Sequence, residues 1–251
     1  MSDRRFRQAV AYAIDRKDIV RRLLGGMGEP GNPGYLPKSH PYHADVEQYE
    51  FSRQKANRLL DEIGYKRQPG SKERKGPDGA KLRFELLAPP INGPLIELVV
   101  AQLKEVGITI DVKPVENFMP YGAMPKGEFE MTIVVYGNPG GDPDRLREVY
   151  SSRIPDSGRL PFAAYGYSDP ELDDFADRQL IATDEAERKR LIGRMQEIAA
   201  RDVPFLHLLY PQPILIYRDG IFDGLSIAKE GGGPFSKDFF VTGKRPGRPG
   251  G

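Results

Sequence analysis

The stretch that most constrains the fold runs from residue 81 to 115, KLRFELLAPPINGPLIELVVAQLKEVGITIDVKPV. KLRFELLA alternates apolar and polar side chains as a half-buried strand does, and ITIDVKPV is a second strand. Between them, PLIELVVAQLKEVG carries apolar residues at helical spacing and ends at Gly107. A strand, a helix and a strand in this order predict a right-handed crossover between parallel strands, and hence an α/β protein.

Further segments supply more helices and another strand. FSRQKANRLLDEIGY, residues 51–65, predicts a helix with Ser52 at its N-cap. Residues 169–183 and 184–202 predict two more helices. FEMTIVVYG, residues 129–137, predicts a third strand, and its apolar run indicates burial on both faces of the sheet. The pattern favours a mixed, mostly parallel sheet flanked by helices.

The N-terminal stretch RRFRQAVAYAIDRKDIVRRLLGG, residues 4–26, is predicted to form one amphipathic helix. Ser2 or Asp3 can cap its start, and a Gly-Gly pair ends it. The Pro- and Gly-rich loop that follows, residues 27–43, is predicted to lack regular structure. A loop of that length usually lines a site or wraps another lobe.

Charge and composition exclude several classes of function. The 37 basic and 36 acidic residues give a net charge of +1, which offers no electrostatic reason to bind nucleic acid or an anionic membrane. Cysteine is absent, so thiol catalysis and disulfides are excluded. No run approaches the ~18 apolar residues of a membrane-spanning helix. The KERK run at residues 72–75 is interpreted as a solvated loop and not as a basic patch.

The three histidines do not indicate a catalytic or metal site. His40 and His43 have a spacing that on a helix could hold a metal ion, but Pro41 lies between them in a loop and no third ligand is near. Both are predicted to be surface loop residues. His207 alternates within the apolar run 205–210 and is predicted to pack in a strand. No stretch matches a phosphate loop or a nucleophile elbow, so neither a metal nor a cofactor is expected.

The acidic pair in GGDPDRL allows two interpretations. Asp142 and Asp144 are close in sequence, but the further acidic positions of a calcium loop are missing. Asp142 is predicted to cap the helix after Pro143, with the proline in the first helical position. The alternative is a hydrolase, in which Asp142 and Asp144 would converge with a base in a closed pocket.

A ligand site is indicated where the strand TIVVYG ends in the turn NPGGDPD. In open α/β sheets, ligands bind beyond the carboxyl ends of the strands. Tyr136, Asn138 and Asp142 stand at such an end and offer an aromatic face, an amide and a carboxylate for a polar ligand. These three are the candidate ligand-binding residues, and shaping the turn is the other role that their spacing allows.

Several segments of this chain follow one another in a characteristic order: RFRQAVAYAIDRKDIV, GMGEPGNPGYLP, FSRQKANRLLDEIGY, DGAKLRFELL, LVVAQLKEVGITIDV, GEFEMTIVVYG, GDPD and DVPFLHLLY. In this order they resemble the family 5 extracellular solute-binding proteins, the dipeptide- and oligopeptide-type receptors of ABC importers. The resemblance implies a periplasmic-binding-protein-like (type II) fold, in which two lobes close on a ligand and deliver it to a membrane permease. It matches only the second half of such proteins.

The resemblance assigns the chain to two lobes. Residues 1–202 would form the C-terminal ligand-binding lobe, and residues 203–251 would cross the hinge and complete the first lobe. A secretion signal, which the N-terminal sequence lacks, and a lipid anchor would lie upstream of Met1. The resemblance therefore implies a periplasmic or extracytoplasmic location, ABC permease subunits as partners, and no direct membrane insertion by this chain.

The resemblance also bears on the ligand. Peptide-binding members hold the ligand's amino group with an aspartate shortly after a tryptophan. Here Tyr136 replaces the tryptophan, and Asn138 and Pro139 occupy the positions where the aspartate would be expected. An arginine for the ligand carboxylate would fall near residues 86–89, and none is there. A peptide with two ionised ends would lack both partners in this lobe, so a sugar, an opine, a metal chelate or a longer peptide held by backbone contacts is also compatible.

The chain is thus predicted to be a non-enzymatic module that captures a small polar solute. It would bind weakly by itself, because affinity arises when two walls desolvate the ligand. Two alternatives to the receptor lobe stay open. The first is the hydrolase built on Asp142 and Asp144, and the second is a stand-alone cytoplasmic interaction protein derived from half a receptor. In that case a partner would cover the surface from Val203 onward.

Overall fold

A parallel sheet lies at the centre of the fold. The computed structural model describes four ranges of the chain, residues 3–115, 127–134, 141–155 and 166–212. Within them, β4 (Arg83–Ala88) lies between β5 (Thr109–Pro114) and β6 (Met131–Thr132) and is parallel to both. The predicted α/β class with a mostly parallel sheet is confirmed.

The helix between the first two sheet strands also follows the prediction. α4 (Gly93–Glu105) connects β4 to β5 and packs against the sheet. Its side chains Ile96, Val99 and Leu103 are buried in one core with Leu86 of β4. Each such side chain contributes about 1.5–3 kcal/mol through removal of its apolar surface from water.

The N-terminal stretch forms two helices, so the prediction of one continuous helix is wrong. α1 (Arg4–Ala13) and α2 (Arg16–Leu24) are separated by Ile14, whose backbone is extended at φ −104° and ψ 116°. The Asp15 carboxylate accepts a hydrogen bond from the backbone N–H of Asp18 at 2.9 Å and caps α2. The apolar periodicity runs across the break because both helices contribute to the same core.

The other helix ends in this half of the chain agree with the sequence. The side chains of Asp3 and Ser52 accept backbone N–H groups in the first turns of α1 and of α3 (Arg53–Glu62). Gly25 follows α2 in the left-handed conformation, at φ 58°, where a side chain would be strained. Among the described helices, none combines the length and apolar character that a bilayer crossing needs.

Three helices in the back of the chain form a second core. They are α5 (Arg145–Tyr150), α6 (Pro170–Ile181) and α7 (Glu185–Asp202). The buried side chains of this core include Tyr35, Leu36, Leu146, Leu172, Ile192 and Met195. Because Tyr35 and Leu36 belong to the loop 27–43, that loop packs on helices of its own predicted lobe, residues 1–202, and not on another lobe.

After α7 the chain turns back across α2. Residues 203–212, here named the return segment, begin at Val203, which has the left-handed φ of 45°. Within the return segment, β7 (Leu209–Pro211) pairs antiparallel with β1 (Gly28–Pro30). The loop 27–43 therefore contains a short strand that the sequence did not predict, because glycine and proline carry no strand signal.

The charged excursion after α3 contains a small hairpin of β2 (Lys66–Arg67) and β3 (Arg74–Lys75). The interpretation of the KERK run as a solvated loop is wrong for Arg74, which is 1% exposed. Its guanidinium donates to the Val106 carbonyl oxygen at 2.8 Å and to the Asp61 carboxylate at 2.7 Å. The hairpin is thereby fixed to the ends of α3 and α4.

Candidate ligand-binding site

A solvent-open groove of about 750 Å³ lies beside α1. Its other walls are β6, residues 166–168 and the first half of the return segment. The volume lies in the range of small-molecule sites in proteins. The floor is apolar and includes Val10, Ile14, Val99, Leu103, Ile133 and Leu206. Polar groups at the walls include Arg4, Arg7, Glu130, Thr132, Tyr167 and Asp202.

One end of the groove is fixed by side chains that satisfy the last carbonyl groups of α7. A helix leaves its final carbonyl oxygens without partners inside the helix. Here the donors come from α1 and from Tyr49, which lies just before α3. The bonds run from the Tyr49 hydroxyl to Ala200 O at 2.8 Å, from Gln8 Nε2 to Arg201 O at 2.8 Å, and from Arg7 Nε to Asp202 O at 2.8 Å and Val203 O at 3.2 Å.

Asp202 carries a paired negative charge at this end of the groove. Its Oδ2 accepts from the Tyr167 hydroxyl at 3.0 Å, and its Oδ1 accepts from Arg201 Nε at 2.9 Å. Burial alone would raise the pKa of Asp202, but the hydrogen bonds from Arg201 and Tyr167 outweigh it and hold that pKa below the usual range. Burial, with the Asp202 charge, raises the pKa of Tyr167, so the phenol stays a neutral donor.

Of the three predicted ligand-binding residues, the structure describes Asp142. Tyr136 and Asn138 lie outside the described residues. The Asp142 side chain is 74% exposed, and its Oδ1 accepts from Arg188 Nη2 at 3.1 Å. Arg188 precedes Asp202 by fourteen residues in α7, which corresponds to about 21 Å along the helix axis. Asp142 therefore lies well away from the Asp202 end of the groove.

The prediction that Asp142 caps the helix is wrong, because the cap position lies two residues later, at Asp144. α5 begins at Arg145 with Asp144 in the cap position, although no side-chain bond caps the helix there. Asp142 instead accepts the backbone N–H of Asp144 at 3.0 Å and so shapes the turn that leads into the helix. Pro143 lies before the helix and not in its first position.

The Asp142 and Asp144 carboxylates do not form the arrangement that a hydrolase needs. Asp144 accepts from Arg147 Nε at 2.8 Å and Nη2 at 2.7 Å, and from Gln179 Nε2 at 2.6 Å. Burial would raise the pKa of Asp144, but the bonds from Arg147 and Gln179 lower it overall. Both carboxylates are engaged by arginines and Asp144 is held ionised, so neither is set up as a proton donor.

The prediction that His40 and His43 lie on the surface is wrong for His40, which is buried, while His43 is half-buried. His43 Nδ1 lies 3.0 Å from the Leu36 carbonyl oxygen. The loop is drawn inward because the Ala44 N–H donates to Gln196 Oε1 of α7 at 3.1 Å. Within the described ranges, no three histidine, aspartate or glutamate side chains converge in a way that could hold a metal ion.

His207 packs in the interior, as predicted, but it lies two residues before β7 and not in a strand. It lies in the return segment, and its Nε2 is 2.8 Å from the Tyr150 hydroxyl of the second core. The Tyr35 ring packs edge-on at 4.9 Å between centroids. Burial, with a smaller contribution from the Arg16 charge, lowers the pKa of His207 to about 3. The imidazole is therefore neutral in the folded protein at all physiological pH values.

The buried neutral histidine predicts an acid-sensitive fold. In the unfolded chain the histidine takes up a proton near its ordinary pKa of 6.5, whereas the folded state takes it up only near pH 3. Stability is thus complete above pH 6.5 and falls as the pH drops from 6.5 towards 3, by about 2 kcal/mol at pH 5 from this residue. Urea unfolding of wild type and His207→Gln at pH 7 and pH 5 measures this loss. The wild type should lose about 2 kcal/mol more than the variant, and equal losses would contradict the assignment.

The groove residues were missed by sequence reasoning for a physical reason. Arg7 and Asp202 are 195 positions apart, and no local spacing connects them. Tyr167 stands in a turn before α6 and looks like an ordinary surface aromatic in the sequence. The DVPF segment, residues 202–205, could have indicated this end of the groove. It marks the end of α7, where the last carbonyl groups of the helix need hydrogen-bond donors from other segments.

Comparison with known proteins gives a consistent result. Residues 1–156 match the family model described as bacterial extracellular solute-binding proteins, family 5 Middle. The chain is 27% identical over 218 residues to the oligopeptide-binding protein AppA of Bacillus subtilis, covering 83% of this chain and 39% of AppA. It is 26% identical to heme-binding protein A of Haemophilus influenzae, covering 80% of this chain and 35% of that protein.

A solved structure supports the same fold. NikZ from Campylobacter jejuni, in complex with Ni(L-His), superimposes with a TM-score of 0.72 at 23% identity. The match covers 83% of this chain and 42% of NikZ. This likeness shows the type II periplasmic-binding-protein fold that the sequence predicted. The chain spans about two fifths of the length of the proteins it matches, at 39% of AppA and 42% of NikZ.

Proposed function

We propose a solute-capturing role for this chain, which belongs to the bacterial extracellular solute-binding proteins of family 5. In this proposal residues 1–202 form one ligand-binding lobe, and residues 203–251 lead towards a second lobe. The two lobes close on a solute outside the cytoplasmic membrane and deliver it to the permease of an ABC importer. The protein acts by binding and not by catalysis.

The observation that carries the proposal is the open groove beside α1. It has an apolar floor, charged and hydrogen-bonding groups at its walls, and one side open to solvent. The start of α1 and the return segment both border it. A second lobe joined through these chain segments would therefore cover the groove, and closure would exclude water from a bound solute.

A peptide-type ligand is the favoured solute. The relative AppA is named an oligopeptide-binding protein, and a peptide has both the apolar side chains and the polar backbone that the groove walls suit. Sugars, opines and metal chelates are the competing classes, since NikZ was solved with Ni(L-His). These classes differ in charge and size, so one titration series separates them.

We include Tyr136, Asn138 and Asp142 in the ligand-facing wall. The support is the solvent-exposed carboxylate of Asp142, which is 74% exposed. Arg188, which bonds to Asp142, lies about 21 Å along α7 from Asp202, so a ligand that reaches both ends of this helix must be elongated. An extended peptide of about six residues has this length, whereas a single sugar or chelate does not.

Solution NMR tests the proposal on this chain. The ¹⁵N-labelled protein is titrated with an alanine hexapeptide, Ni(II)-histidine and mannohexaose, each to millimolar concentration. With the peptide, we expect shifts of the Tyr167 and Ser168 amides and no shifts in α3, which does not line the groove. The dissociation constant should be weaker than about 0.1 mM, because only one wall is present.

Two results would contradict the proposal. A sub-micromolar affinity of this chain for any of the three probes would show that a second wall is not needed. The absence of groove shifts with all three probes would argue against solute capture at this surface. Larger shifts with Ni(II)-histidine or mannohexaose than with the peptide would reassign the ligand class.

A further inference from the structure

The outer edge of the sheet, at β5, has no partner strand in the part of the chain that the structure describes. There β5 pairs with β4 on one side only. The N–H of Thr109 donates to Leu82 O, just before β4, at 2.9 Å. Because the backbone groups of a strand alternate in direction, Ile110 and Val112 point their N–H and C=O groups outward, and Pro114 its C=O group. Such an edge is a template for a further strand.

An apolar hollow lies beside this edge, on the face of the sheet that α4 covers. Its volume is about 280 Å³, and its lining includes Ile96, Val100, Val112 and Pro114. Val112 is 45% exposed, although it is a large apolar residue in the middle of a strand. A strand added to β5 on this side would cover Val112 and remove apolar surface from water.

The opposite face of β5 carries charges that alternate in sign. Asp111 and Lys113 lie two positions apart, so their side chains share this face. Each pairs with a residue of β4: Asp111 lies 2.8 Å from Arg83, and Lys113 lies 3.7 Å from Glu85. Charged residues on an edge strand usually prevent further pairing. Because an acid and a base alternate here, this edge is complementary to itself in the antiparallel direction.

We propose that β5 pairs antiparallel with β5 of a second copy of this chain, about a two-fold axis at Val112. In this register Asp111 lies opposite Lys113 of the second copy, and the same pair repeats across the axis. Backbone hydrogen bonds join the two Val112 residues, and each Ile110 N–H donates to the Pro114 carbonyl oxygen of the other copy. Pro114 is therefore tolerated, since its carbonyl group is used and its missing N–H is at the end of the strand.

The charges select this direction and this register. In-register parallel pairing would bring like charges together. An antiparallel shift that puts Ile110 opposite Val112 would place the two Asp111 carboxylates opposite each other. Opposite charges that face each other across strands stabilise a sheet, and like charges destabilise it. The proposed register instead gives a row of charges of alternating sign, which runs from β4 of one copy to β4 of the other.

The dimer leaves the ligand groove of each copy open. β6 borders that groove, and in the described sheet β6 lies at the opposite edge from β5. Self-association therefore goes beyond the proposed solute capture and does not depend on it. A contact of one strand and one hollow is smaller than the roughly 1,200–2,000 Å² of a stable interface, so we expect a dissociation constant on the order of 0.1 mM.

Sedimentation equilibrium of the full chain, from about 10 µM to about 1 mM, tests the proposal on two charge variants. In a homodimer of Asp111→Lys, lysines face lysines, and in a homodimer of Lys113→Asp, aspartates face aspartates. Each variant alone should dimerise at least about tenfold more weakly than the wild type. In an equimolar mixture of the two variants, every facing pair is a lysine with an aspartate. The mixture should therefore form a heterodimer with an affinity close to that of the wild type.

A charge control and a cross-linking experiment complete the test. Lys17→Asp makes the same change in charge on α2, where Lys17 is 71% exposed, and it should dimerise as the wild type does. The chain has no cysteine, so Val112→Cys carries a single thiol. Facing Cα atoms in this kind of pair are about 5.5 Å apart, within reach of a disulfide. Under mild oxidation Val112→Cys should cross-link faster than Ile181→Cys, although Ile181 on α6 is 80% exposed.

Three results would overturn the inference and leave the proposed solute capture standing. The first is a wild type that stays monomeric up to about 1 mM. The second is a mixture of Asp111→Lys and Lys113→Asp that associates no more than either variant alone. The third is slow hydrogen exchange at the Ile110 and Val112 amides in the dilute monomer, because another strand of the same chain would then occupy the edge. Conversely, a failure of the NMR titrations to show solute binding has no bearing on the dimer.

Discussion

Replacing Gly31 with alanine is expected to lower the free energy of unfolding by about 3 kcal/mol. An added Cβ would lie 1.9 Å from the carbonyl oxygen of His207 and 2.2 Å from its carbonyl carbon. Both atoms belong to the backbone, so no side-chain rotation can relieve the overlap. The Gly31 N–H donates to Leu208 O at 3.0 Å, and this bond must lengthen or break as the two segments separate.

Gly93→Ala is the matched control for this substitution. Gly93 is the first residue of α4, and an added Cβ there has open space around it. Alanine should leave the stability within about 1 kcal/mol of the wild type, because a helical glycine gains from the change. Urea unfolding followed by circular dichroism measures both variants. Equal stability of the two variants would contradict the close contact between Gly31 and the His207 backbone.

The Gly31 contact bears on how the return segment is held. The buried guanidinium of Arg16 donates to Gly31 O and to Tyr49 O, both at 2.6 Å. The return segment therefore packs against a backbone at Gly31 that the Arg16 guanidinium holds in place through these two hydrogen bonds. In the Gly31→Ala variant, hydrogen exchange should accelerate at the backbone amide of position 31. Exchange in α6 should stay unchanged, because α6 lies in the second core.

Much of the fold could be predicted because its signals are local. In the strand–helix–strand unit, residues 81–115, apolar side chains repeat every two residues in the strands and every 3.6 residues in the helix. The caps at Asp3 and Ser52 act within one helical turn. The break before Asp15 was equally local, and its carboxylate bond to the Asp18 N–H is a normal cap signal. It was overlooked because the apolar period continues through it.

The groove could not be predicted, because its parts meet only in three dimensions. The bond from Arg7 to Asp202 joins residues 195 positions apart. The Tyr49 hydroxyl reaches Ala200 across 151 positions. The sequence predicts a ligand site beyond the ends of the sheet strands, and that placement stays a prediction. Tyr136 and Asn138, the candidates there, lie outside the described residues, and their role stays a prediction.

Arg74→Met is expected to lower the free energy of unfolding by about 3 kcal/mol. The substitution removes a fully buried guanidinium and all the hydrogen bonds that it donates. The acceptors of these bonds include Val106 O at 2.8 Å and Asn57 Oδ1 at 2.8 Å, together with the Tyr65 carbonyl oxygen. Lys75→Met is the control, because Lys75 is the next residue of the same strand and is exposed. It should change stability by less than about 0.5 kcal/mol.

A third variant separates the ion pair from the other hydrogen bonds of Arg74. Asp61 is 46% exposed, so solvent screens its attraction to Arg74, and Asp61→Asn should cost less than about 1 kcal/mol. A much larger loss for Arg74→Met than for Asp61→Asn would therefore assign the stabilisation to the buried neutral oxygens. Equal losses would assign it to the charge pair instead. In the first case, Arg74 holds the hairpin by donating hydrogen bonds to backbone carbonyl groups at the ends of two helices. The number of charges in the KERK run could not have predicted this role.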